Sequence, residues 1–388
     1  MNIIIGILAF LMNNNYLLYI LLIVYLFFMI CYSKKHVIII PKTKNFIILF
    51  ITCLSYLFFS SIVGTRNITV FIYPIIMYMI GTIYFSSHSD EKSMKKIIEC
   101  ISIGLFIHAL LNYLTNINAS NRNIIDIFTR MNFSATLQAT FVIFILSTSF
   151  SNIYFNKTFK RIFYIICLII SILFLLLIGN RTGFLITIIT FIFSLFLVTF
   201  FSNKSSEDKK KKYKTLFLIV ISTISILYMY NSNFFNVKNT IESSNLYLRF
   251  NTGETEISDE SRISHFNNGV SSLLAHPLGT NGKLEGSLYA HNMWLDIGKD
   301  AGIISFFLLV IYSIFSVKSL IILNRLPNLT KEFKIYLNSL YLGVNINFFV
   351  EPILEALPFY FSLFVFVNAM VDMKARLLKN EYNERINK

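Results

Sequence analysis

The residues best suited to bind an anion or move a proton fall in a few short stretches. Arg181 lies in GNRTG (179–183), between two glycines that leave room for a ligand to approach the backbone. Arg262 lies in SRISHFNNGVSSLLAHPLGTNG (261–282), and His291 and Asn292 open AHNMWLDIGKDAGIISFF (290–307). A guanidinium is a permanently charged, planar donor fork suited to phosphate or carboxylate. A histidine titrates near neutral pH and serves as acid or base. Each also has a plainer reading. Arg181 reads as a helix-end arginine reaching to lipid headgroups, and Arg262 as a solvated surface arginine. His265, one turn from Arg262, reads as incidental, and His291 as either a structural or a site histidine. Asp296 and Lys299 have the spacing of a helical ion pair. Glu351 and Glu355 flank Pro352 at a helix end, as exposed acids or as functional ones.

Other chemistry is not written in the chain. There is no phosphate-binding glycine loop, no dinucleotide fingerprint, no H-E-x-x-H and no G-x-S-x-G. No paired aspartates are spaced to hold a divalent ion on a nucleotide-sugar, so neither metal nor cofactor is expected.

The elements that hold these residues follow from composition. Only 14% of the 388 residues are charged and 55% are hydrophobic, against about 25% charged in a soluble domain. The charges sit between long apolar runs, which predicts an all-α, polytopic integral membrane protein. The runs are 16–32, 45–63, 68–85, 97–115, 133–150, 162–178, 184–201, 215–230, 302–317, 335–350 and 358–373, with a shorter run at 3–12. That gives 11–12 transmembrane helices in one transmembrane domain, 1–388. Alternate loops hold 25 of the 34 Lys and Arg residues. The positive-inside rule then puts the C-terminus and the 203–214 lysine run in the cytoplasm. The net charge of +14 is mostly this bias, which argues against a nucleic-acid partner. The four cysteines lie in or beside apolar runs, with no disulfide or zinc spacing.

One outer loop, 231–290, is long. Within it an amphipathic helix is predicted at about 259–275, with Ile263, Phe266, Val270, Leu273 and Leu274 as its apolar positions. The segment 291–301 is too polar for lipid. It is predicted to be a helical extension of the next span, at or above the outer interface and facing protein, with the bilayer beginning at Gly302.

Together, GNRTG, SRISHFNNGVSSLLAHPLGTNG and AHNMWLDIGKDAGIISFF resemble the O-antigen ligase/polymerase superfamily of bacterial envelope glycan assembly, over about residues 160–320. The resemblance implies a glycosyltransferase with a polyprenyl-diphosphate-linked oligosaccharide as donor, working at the outer face of the bacterial cytoplasmic membrane. It implies Arg181 and Arg262 as diphosphate ligands and His291 as base or diphosphate ligand, with Asn292 and Glu351 in support. Candidate protein partners are a flippase and a chain-length regulator. A capsule or O-antigen-type polymerase is the preferred reading. A ligase using a different acceptor is the first alternative, and a flippase for lipid-linked units the second. Mid-span charges are scarce and the polar groups gather on one face, which disfavours a transport path. His108 is the exception.

Overall fold

The structure, a computed structural model, describes residues 2–13, 15–32, 41, 43–64, 67–117, 124–200, 228, 231–232, 237–242, 244, 246–247, 254–280, 290–326 and 329–386. Within these, the side chains at 15, 16, 29, 30, 32, 71, 237, 240, 241, 254–262, 355 and 382–386 are outside the description. The helices are α1 (Asn2–Phe10), α2 (Asn15–Tyr32), α3 (Lys44–Val63), α4 (Ile68–Ser87), α5 (Glu91–Thr115), α6 (Ala135–Phe155), α7 (Thr158–Ile178) and α8 (Arg181–Phe200). They continue with α9 (Val237–Glu242), α10 (Glu254–Ala275), α11 (Met293–Arg325), α12 (Lys331–Val350), α13 (Ile353–Ala356) and α14 (Pro358–Ile386). Among the described residues, seven are long and apolar enough to cross a membrane: α3 to α8 and α11. The chain is therefore an all-α, multi-pass membrane protein. The predicted spans 16–32, 335–350 and 358–373 are helical as well, within α2, α12 and α14. The predicted span 215–230 lies outside the described residues, apart from Tyr228. α1 has nine residues, a length of about 14 Å, half a bilayer core.

The chain divides into two compact units. The first comprises Met1–Ile107, Ser258–Leu329 and Val344–Lys388. In it α3 packs on α11 and α4 on α14. Lipid offers helices little hydrophobic reason to associate, so small residues and polar side chains hold them together. Ser55 and Ser305 share a hydrogen bond of 2.7 Å, and Asn45 Nδ2 donates to Ser319 Oγ at 3.0 Å. A Cβ on Gly104 would collide with the Gly6 carbonyl, so α1 seats against α5 at backbone distance.

The second unit comprises His108–Ile257 and Thr330–Gly343. Its centre is α6, buried along most of its length and packed on α7 and α8. It also holds a feature absent from the sequence reading, a two-stranded hairpin pairing Ile124 with Phe133 and Ile125 with Asn132. Buried side chains fix this hairpin to α5. His108 Nε2 and Asp126 Oδ2 are 2.7 Å apart with no exposure of either side chain. Asn112 Nδ2 donates to Asp126 and to Gln138, at 3.2 and 2.8 Å. Asp126 Oδ1 accepts the amides of Phe128 and Thr129, which closes the turn.

Candidate active site

The stretch after Ala290 folds around one carboxylate. Asp296 Oδ1 accepts the Ala290 amide at 2.6 Å, and its Oδ2 accepts the Asn292 amide at 3.2 Å. Asn292 is the N-cap of α11: its Oδ1 accepts the amides of Trp294 and Leu295, both at 3.1 Å. Its Nδ2 donates to the Phe349 carbonyl at 3.0 Å, which ties this helix start to the end of α12. His291, held between these anchors, has φ of +51°. That conformation is uncommon for a residue with a side chain and persists only where its surroundings enforce it.

Two residues beyond Phe349 comes Glu351. Its side chain is 1% exposed, and its Oε2 lies 4.0 Å from His291 Nδ1. The His291 side chain is 30% exposed. The His265 ring, from α10, stands 5.7 Å from that of His291, centroid to centroid. The first unit thus brings together a partly accessible imidazole, a second imidazole and a buried carboxylate. At 4.0 Å the carboxylate is within reach of electrostatic attraction to an imidazolium but beyond hydrogen-bond distance of Nδ1.

α10 supplies His265 by packing on the start of α11. A Cβ at Gly269 would stand 2.7 Å from that of Ala290. Leu273 is buried with Ala290 and Leu295, and Val270 packs beside them. The helix begins at Glu254, five residues ahead of the predicted start. Ile263 and Leu274 are exposed at 65% and 69%, so the inward stripe is narrower than the sequence pattern suggested. Arg262 belongs to the backbone of α10, and its side chain lies outside the described residues.

The predicted helical extension takes a different course. Met293, Leu295–Ala301 and Gly302 are buried, as expected of a segment facing protein. However, the helix breaks at Ala301 and Gly302 (φ +76°, ψ 179°). Trp294 Nε1 donates to Ser313 Oγ at 2.9 Å. In one continuous helix those residues would stand about 28 Å apart, so residues 293–300 fold back along the helix that follows. The HPLGT turn after α10 secures the bend: Ile303 N donates to Pro277 O at 2.9 Å, and Thr280 N to Lys299 O at 2.7 Å. A Cβ on Gly302 would collide with the Pro277 carbonyl. Lys299 pairs with Asp300 at 3.4 Å, while the Asp296 carboxylate serves the backbone around His291. Lys299 also attracts the Asp296 carboxylate, in keeping with their i,i+3 spacing.

In the second unit, Gly179 ends α7 in the left-handed conformation (φ +62°). Asn180 Oδ1 accepts the Gly183 amide, so Asn180 is the N-cap of α8 and Arg181 its first residue. The expected five-residue turn is a two-residue one, and Arg181, half-buried, stands at a helix N-terminus, the end that favours anions.

His265 is the residue whose proximity to His291 the sequence did not reveal. Its signal was the three-residue spacing from Arg262 on a predicted helix, too common a pattern to stand alone. No curated protein matches the chain. Residues 166–310, which include Arg181, Arg262, His265 and His291 but not Glu351, match the family model described as O-antigen ligase, a match that supports the resemblance to the O-antigen ligase/polymerase superfamily.

Proposed function

We propose that the protein is a glycan polymerase. It would join polyprenyl-diphosphate-linked oligosaccharide units into a capsule or O-antigen-type polysaccharide at the outer face of a bacterial cytoplasmic membrane. The observation that carries the reading is the grouping of His291, His265 and Glu351 at a strained backbone position. In the proposed step an acceptor sugar hydroxyl gives its proton to His291 Nε2. Its oxygen attacks the anomeric carbon of the donor, and the bond to the diphosphate breaks with its electron pair leaving on the diphosphate oxygen. Glu351 orients the imidazole and stabilises the imidazolium that forms. Arg181 and Arg262 are proposed to bind the diphosphate and offset the charge that develops there, on the strength of their residue type and sequence context. Direct displacement inverts the anomeric configuration, and a product with the donor's configuration, read by linkage NMR, would count against it.

The ligase reading draws its support from the description of the matched family model. Purified protein incubated with a lipid-diphosphate oligosaccharide and no other acceptor separates the readings. A ladder of repeat lengths supports the polymerase, and turnover only with a second acceptor supports the ligase. Movement of intact donor across vesicles without either product supports a transporter.

A further inference from the structure

A cavity of about 450 Å³ lies in the first unit, far along α11 from the bend at Gly302. The first turn of α3, the last turns of α11 and the middle of α14 form its walls. Among the described residues, four cations line it, Lys44, Lys318, Arg376 and Lys379, against one carboxylate, that of Asp372. That carboxylate is already engaged. It accepts the Tyr78 hydroxyl at 3.0 Å and the Ser319 hydroxyl at 2.9 Å, and pairs with Arg376 at 3.4 Å. Among the described lining residues the three lysines therefore leave a positive surplus.

The walls are not purely polar. Phe315 lines the cavity, with the Lys318 ammonium 5.5 Å from its ring centre. Beside it on α11, Ile314, Val317 and Ile321 are exposed, at 59%, 38% and 45%. In a membrane-spanning helix such residues meet acyl chains. A cationic cavity therefore opens next to a lipid-facing flank. Its residues come from the Lys/Arg-rich ends of these helices, which the charge bias assigns to the cytoplasmic leaflet, where anionic lipid concentrates. The volume suits a phosphate-bearing headgroup.

We infer that this cavity is a binding site for the phosphate of an anionic phospholipid, separate from the proposed transfer site. The lysines and Arg376 hold the phosphate, and an acyl chain runs along Phe315 and the exposed flank of α11. The idea stands or falls apart from the polymerase reading, because its test reads lipid retention and not turnover.

The test uses the full chain in discs of mixed phosphatidylcholine and phosphatidylglycerol, with lipids retained on release measured by native mass spectrometry. Wild-type protein is expected to keep phosphatidylglycerol in excess over its share of the disc. Lys318→Gln with Lys379→Gln is expected to lower that preference by roughly 25-fold, about fivefold for each lysine. Lys92→Gln with Lys96→Gln removes the same charge from exposed positions outside the cavity and is expected to leave the preference intact. An equal loss in both double variants would assign the effect to general surface charge and overturn the site. No excess of phosphatidylglycerol on the wild-type protein, with inorganic phosphate retained instead when it is supplied at millimolar concentration, would overturn the lipid as occupant.

Discussion

His291 stands in a left-handed conformation because the groups around it leave no other path: Asp296 takes the amides on both sides of it and Asn292 caps the helix that follows. Removing the ring should therefore affect chemistry more than folding, provided the replacement tolerates positive φ. His291→Asn meets that condition, since asparagine adopts this conformation far more readily than most residues. Loss of a general base costs about 10²- to 10⁴-fold in rate. We expect His291→Asn to lose activity in that range in the acceptor-free polymerisation assay, with a near-unchanged melting temperature. Glu351→Gln keeps the shape of a buried side chain and removes its charge, so a smaller loss is expected. Full activity of the His291 variant would remove the histidine from the reaction. The proximity of Glu351 to His291 was not legible in the sequence, since the two are 60 residues apart and the ends of their helices meet through the Asn292–Phe349 hydrogen bond.

At the scale of elements, two joints carry the arrangement. The bend at Gly302 needs a backbone conformation essentially restricted to glycine, and it also excludes a Cβ beside Pro277. Gly302→Ala should cost about 1–3 kcal/mol from the backbone alone. The only tryptophan in the chain, Trp294, reports on this joint, because its indole N–H is bonded to Ser313 across the fold-back. We expect Gly302→Ala to red-shift Trp294 emission and lower the melting temperature together. The second joint is His108–Asp126. Removing one partner of a buried hydrogen bond costs about 1–3 kcal/mol because the other is left unsatisfied. Asp126→Ala should thus destabilise the second unit and release its hairpin, seen as faster tryptic cleavage after the exposed Arg130. Apolar runs made most helices legible. The fold-back was not, because Gly302 marks a break without giving its angle. The hairpin was not, because His108 and Asp126 meet only once the chain has turned.

At the scale of the whole molecule, alternation of basic loops leaves a clear directional bias, and it gives a testable orientation. A C-terminal green fluorescent protein fusion is expected to fluoresce and a C-terminal alkaline phosphatase fusion to be inactive. The opposite pair of results would invert every assignment of face made from charge. Charge and hydropathy made the class of the molecule readable, whereas the grouping of His265, His291 and Glu351 required tertiary structure. The tie between Asn292 and the end of α12 also sets an order of events in biosynthesis. His291 emerges from the ribosome before Glu351 exists. The nascent protein can insert its earlier helices while its proposed base still lacks its carboxylate neighbour, so the site matures only when the last helices are made and packed.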